Sequence, residues 1–284
     1  MMKRSRLAMF IAATAAIAVV STGTATATPQ SEPAAVTALD TAELAELTRL
    51  SDPATLVDLH DGARRMDRIA EVLTRNGDRR GIFAVFYRSI LHDANPLLDA
   101  GNFDDPQWAR AVSLEFFREY LVNLHGHLTG GAVTPGWQRY YDMAADPSRS
   151  PGRVAASALD AHLMVDFPAA LAATGTRVEN TRDFFAIGDS LINTTGHITD
   201  ELHAIYGAKL AGFFGLYFVG PVADIALGEG NTSYLMFQSV RGTSLTSGLA
   251  LQVPATAGAA EVAMYGLYNT AETVFDGLEF ANLI

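Results

Sequence analysis

Two pairs of side chains carry the residue types and the spacing that metal-assisted or acid–base chemistry requires. In "ALDAHLMVDFPAAL" His162 and Asp166 stand four residues apart, which on a helix places both on one face with β-carbons about 6 Å apart. Their neighbours on that face, Ala155, Ala158, Leu159, Val165 and Ala169, are all apolar. An anion there loses its hydration, so it must find a partner, take up a proton or bind a cation. The plainer reading is a buried imidazole–carboxyl hydrogen bond that locks helix packing. The chemical reading is two ligands of a metal, or a base and the acid that orients it. Pro168 cannot donate to the carbonyl of Met164, which leaves that oxygen free beside the pair if the helix continues through.

His197 and Glu201 repeat the spacing in "GHITDELHAIYG". They lie about 100° to one side of the stripe formed by Ile198, Leu202 and Ile205, where an ordinary solvated pair is equally at home. Taken with the first pair they fit the way helix bundles build metal sites, from His and carboxylate side chains projected inward by facing helices. Asp200 and His203 compete for the inward face. In "LHGHL" either His125 or His127 is a further nitrogen ligand, or both simply complement the helix C-terminal dipole; Asp160 is a further oxygen ligand. A divalent metal on His162, Asp166, His197 and Glu201 would lower the pKa of a bound water and supply hydroxide near neutrality. That chemistry suits hydrolysis of a phosphoester or similar ester, with zinc favoured by the donor set and manganese or iron as alternatives. The contrasting expectation is a non-catalytic exported helical module that binds a small apolar ligand or a protein partner. The aromatic and glycine-rich "AGFFGLYFVG" (211–220) suits that role, or is simply core. His60-Asp61 and His92-Asp93 read as helix-end or surface residues.

These residues need helices to position them. Asp40 or Thr41 caps "AELAELTRL", and Ala63, Met66, Ile69, Ala70 and Leu73 recur at spacings of three and four before Gly77. "GIFAVFYRSILHDA" is apolar nearly all round and reads as a central helix. Asp105 as cap, Pro106 at the first helical position and Gly130-Gly131 after the end define the clearest helix, with Trp108, Val112, Phe116, Tyr120 and Leu124 in one stripe. Ser150-Pro151 opens the helix that carries His162, and Pro168 interrupts it. "VENTRDFFAIGDSLINTT" and "GHITDELHAIYGAKL" predict two further helices joined at Asn193–Thr195. Asn193 and Asn231, each opening a glycosylation-type triplet, read better as caps. Leu210 to Ala223 predicts a kinked buried helix, too short to span a bilayer. A helix from about Thr232, a loop around Pro254 and a last helix complete the chain, with "GLALQV" as the one strand-like stretch. The expectation is all-α, a multi-helix bundle in a single globular domain.

Lys3, Arg4 and Arg6, the uncharged run "LAMFIAATAAIAVV" and Ala25-Thr26-Ala27 form the three-part pattern of a secretory signal peptide cleaved near Ala27. The expected organisation is a signal peptide over 1–27, a leader over 28–39 and a helical domain over 40–284, with localisation outside the cell and no membrane span in the mature chain. The 20 Lys and Arg against 31 Asp and Glu give a formal charge of −11, which argues against a broad nucleic-acid surface. Without cysteine, thiolate metal sites, disulfides and cysteine nucleophiles are excluded. "GTSLTSG" lacks the strand–turn–helix context of a serine nucleophile.

The run from "ARRMDRIAEVL" through "FAVFYRSI", "FDDPQWARAVSLEFFREYL", "GWQRYYDMA" and "DAHLMVDFPAAL" resembles the bacterial family of domain of unknown function 5995, over about residues 60–205. That family's N-A-H-I-N-x-D-L segment falls on Asp160, His162 and Asp166, with Asp160 in place of the asparagine. The resemblance implies a mostly helical domain without an assigned activity, and leaves 206–284 as a C-terminal helical extension. The H-x-x-x-D and H-x-x-x-E spacings of His162/Asp166 and His197/Glu201 are similar to those of zinc-dependent phospholipase C and related single-strand nucleases. That group also uses an N-terminal tryptophan ligand, where this chain would begin at Thr28.

Overall fold

The computed structural model describes residues 38–210 and 231–284. The signal-peptide reading, most of the leader and the kinked helix expected over 211–223 lie outside the described residues. Among the described residues there are ten α-helices and no strand: α1 (Thr41–Ser51), α2 (Leu59–Arg75), α3 (Gly81–Ala100), α4 (Pro106–Thr129), α5 (Pro135–Ala145), α6 (Pro151–Ala161), α7 (Phe167–Ala173), α8 (Thr181–Tyr206), α9 (Asn231–Leu251) and α10 (Pro254–Phe280).

The capping residues act as the sequence predicts. Asp40 accepts from the Glu43 amide while Glu43 accepts from the Asp40 amide, a reciprocal capping box at the start of α1. Asp105 and Ser150 cap α4 and α6, each followed by a proline whose missing N–H costs nothing there. Gly130 ends α4 in the left-handed region at φ 70°, which a side chain would resist. The α2 residues Ala63, Met66, Ile69, Ala70 and Leu73 are all buried, and they pack chiefly on α3. α3 in turn packs on α8, α4 on α1 and α7, and α9 on α7 and α10. Gly248 permits the close approach of α9 to α7: a β-carbon there would stand 2.6 Å from Leu171 and 3.1 Å from the Pro168 carbonyl oxygen.

Three sequence expectations are corrected. Asn193–Thr195 is not a join, because α8 runs unbroken through Gly196 to Tyr206; the burial of Ile198 and Leu202 on this helix outweighs the weak breakers. "GLALQV" is not a strand, because Gly248–Leu251 complete α9 and only Gln252 and Val253 separate it from Pro254 at the start of α10. Pro168 does not end the helix that carries His162. Instead, residues His162–Asp166 form a single π-helical turn, with the Phe167 amide donating to the His162 carbonyl five residues back, and α7 continues through the proline. The wider turn also moves the carbonyl that needs an outside donor. It is that of Leu163, whose partner five residues on would be Pro168, and Ser244 Oγ of α9 donates to it at 2.8 Å.

Pro151–Ala173 is long and apolar enough to cross a membrane by composition, and 83% of its most apolar window is buried within the protein. The burial of this segment among α5, α9 and α10 accounts for that composition.

Candidate functional site

His162 and Asp166 meet as their spacing predicts. His162 Nδ1 lies 2.9 Å from Asp166 Oδ2, and each residue is only 2% exposed. Trp137, at the third position of α5, adds what the sequence did not reveal: its indole N–H donates to the same oxygen at 2.8 Å. Burial pushes the imidazole well below its usual pKa and the carboxyl well above its own, the latter opposed by the Trp137 hydrogen bond. Both shifts favour the uncharged forms, and the two groups share a proton between Nδ1 and Oδ2, the oxygen that also accepts from Trp137. Nε2 is buried with no hydrogen-bond partner in the structure.

Aromatic rings enclose the imidazole. Phe116 stacks on it at 3.7 Å between centroids, and Tyr87, Phe83 and Trp137 stand edge-on or nearly so at 4.9, 5.1 and 6.1 Å. An N–H among π faces keeps a weak acceptor. A ring held in this way, with its nitrogens committed or enclosed, locks the π turn to α3, α4 and α5.

The other expected ligands are spread through the fold. Glu201 pairs with the Arg88 guanidinium, and its second oxygen lies 3.3 Å from Ser89 Oγ. His197 is exposed. His125 Nδ1 faces the Thr48 carbonyl at 3.1 Å and Ser51 Oγ at 3.2 Å, tying α4 to α1. His127 stacks on Tyr141 at 4.0 Å, and burial lowers its pKa. Asp160 is fully buried and its charge bears on Tyr268. Among the described residues no group of three His, Asp or Glu side chains is placed to hold one metal ion. His60 pairs with Asp99 and His92 with Asp67 at the surface; His60 stands at the start of α2, whereas His92 lies within α3.

Phe116 also borders a different environment. There α2, α3, α4, the π turn, α7, α8 and α9 leave a small pocket of about 50 Å³ that opens to solvent. Leu91, Ala94, Val112, Phe116, Leu163 and Phe167 are among its walls. One wall is a column of near-parallel rings: Phe116 on Phe167 at 4.3 Å, then Phe167 on Phe184 at 5.2 Å. The Arg241 guanidinium lies 4.3 Å over the Phe184 ring and donates to the Phe184 carbonyl at 2.7 Å. A β-carbon on Gly188 would stand 1.5 Å from that guanidinium, so only glycine leaves it room. Three neutral side chains with polar atoms also line the pocket: Tyr87, Asn95 and Ser113. The Asn95 amide and the opposing walls come from helices far apart in sequence, so no short motif could have revealed them.

The sequence profile of a family described as a family of unknown function (DUF5995) matches residues 59–229, more than half of the 284-residue chain. No curated protein and no solved structure matches the chain.

Proposed function

The chain belongs to the DUF5995 family, and from that premise we propose that it is a ligand-binding helical protein that holds a small apolar molecule in the pocket beside Phe116. One observation carries this reading: seven elements converge on a concave space whose walls are almost wholly hydrocarbon and aromatic. Ligand sites are typically concave and apolar, with a few fixed polar groups, whereas a void with no occupant forfeits contacts that packing would otherwise supply. The imidazole–carboxyl pair supports the same reading as scaffold, because its imidazole stacks on Phe116. The pattern of residues 1–27 supports export of the protein.

Metal-assisted ester hydrolysis would require His162 to leave Asp166 and Glu201 to leave Arg88 before the four groups could share an ion. Elemental analysis of chelator-treated protein separates the two readings. The binding reading expects no stoichiometric metal, and zinc that disappears in His162→Ala would support the hydrolase instead.

The direct test is a thermal-melt screen with small apolar probes such as toluene and p-xylene. A ligand that binds only the native state raises the midpoint with concentration. The wild type is expected to respond, and Ala94→Phe, which places a ring in the pocket, is expected not to. Equal responses from both proteins, or none from the wild type, would remove the proposal.

A further inference from the structure

Asn95 brings an unpaired hydrogen-bond acceptor to the pocket wall. Asn95 is 6% exposed and lines the pocket from α3. Its Nδ2 donates to the Leu59 carbonyl at 3.1 Å. An amide placed against a carbonyl must present its nitrogen, so this contact fixes which end is which. Oδ1 is thereby left facing away from Leu59, and it is buried with no donor in the structure. A buried acceptor in that state is costly, and native proteins rarely keep one without a reason.

Two other polar side chains of the wall have partners. Ser113 Oγ donates to the Ala109 carbonyl at 2.8 Å, and Arg241 holds the Phe184 carbonyl and the Phe184 ring. Leu91, Ala94 and Leu98, on the same helix as Asn95, surround it with hydrocarbon within the pocket. Pro96 follows it inside α3, so the turn that carries Asn95 lacks one backbone hydrogen bond.

We propose that the ligand is an apolar molecule bearing a single hydrogen-bond donor, of the phenol or hydrophobic-alcohol class, with its O–H directed to Asn95 Oδ1. This rests on the reading of the pocket as a ligand site and goes further by fixing the polarity of what enters. An unmodified hydrocarbon would leave Oδ1 unpaired. A carboxylate or ether oxygen would face it with a second acceptor. A hydroxyl satisfies it while its ring or chain fills the space beside Phe116 and Phe167. Discrimination of this kind is strong because the site's own buried group is the one left unpaired by the wrong ligand.

The test is calorimetric titration of the full-length protein at pH 7 with phenol and toluene, which share a shape and differ in O–H against methyl. A purely hydrocarbon pocket favours toluene, because the hydroxyl must shed its water without return. The proposal expects the wild type to bind phenol at least as tightly as toluene. It expects Asn95→Leu to shift the preference to toluene by about tenfold, and Ser113→Ala to leave the wild-type ratio in place. Toluene favoured about tenfold in the wild type would overturn the proposal while leaving the pocket reading intact, and so would a ratio lost in Ser113→Ala instead of at Asn95. If neither probe binds, the pocket reading fails and this inference goes with it. The wild-type ratio and the Ser113→Ala control decide the matter even if Asn95→Leu does not fold.

Discussion

Two environments meet at Phe116, and they bury polarity in different ways. In one the ring stacks on His162, whose Nδ1 shares a proton with Asp166 while Trp137 donates to the same oxygen. In the other it lines a pocket where Asn95 Nδ2 has a partner and Oδ1 has none. The first arrangement is closed: His162 Nδ1, Asp166 and Trp137 bond to one another, and rings enclose the imidazole, whose Nε2 is buried without a partner. The second is concave and apolar, with Asn95 Oδ1 unpaired in its wall. The difference shows why the residues most conspicuous in the sequence, an imidazole and an acid, need not be where a ligand sits.

Several substitutions would sharpen or break that contrast. Asp166→Ala should have the largest effect on stability, about 3 kcal/mol in urea unfolding, because it strands Trp137 Nε1 and His162 Nδ1 in a dry cluster and leaves a void. A loss below about 1 kcal/mol would mean that the pair is not the structural lock described here. Ala94→Phe acts on the pocket instead. Binding of toluene or phenol should weaken by at least tenfold, about 1.4 kcal/mol, while the melting midpoint of the free protein stays near that of the wild type. If Ala94→Phe unfolds the protein, the space beside Phe116 is too tightly packed to be a ligand site.

A smaller effect is expected at Glu119, one helical turn beyond Phe116 on α4. Burial raises this carboxyl to about 7, and negative charge at Asp166 and then at Glu115 pushes the same way. Its pKa in the unfolded chain is near the ordinary 4.5. The folded protein therefore holds a proton that the unfolded chain releases, and the stabilisation it brings is complete below pH 4.5 and lost as pH rises through 7. Glu119→Gln mimics the protonated form. It should match the wild type at pH 4 and exceed it by about 1 kcal/mol at pH 8, after allowance for the partial exposure of the group. Identical pH profiles for the two proteins would show that the carboxyl is not held in a dry environment.

The helices were legible because their ends carry strong local chemistry. Asp40 with Glu43, Asp105 with Pro106, and Ser150 with Pro151 each specify a start without tertiary help. The His162–Asp166 bond was legible for a related reason, since four residues on one helix fix the distance between two side chains. What escaped depended on partners far away in the chain. Trp137 reaches Asp166 from another helix, and Arg88 claims Glu201 across 113 positions. The π turn was half visible: Pro168 announced a missing donor, but the shift of the orphan carbonyl to Leu163 required Ser244 from α9. The pocket was invisible, because seven elements build it and its one informative residue, Asn95, reads in sequence as a polar break before a proline.

Xenon tests the central claim most directly, because it binds dry apolar cavities and makes no hydrogen bonds. Crystals of the protein held under xenon pressure should show a peak beside Phe116, bounded by Leu91 and Leu163, with the His162–Asp166–Trp137 bonds unchanged. A pocket that stays empty under pressure, with side chains collapsed into it, would contradict the account.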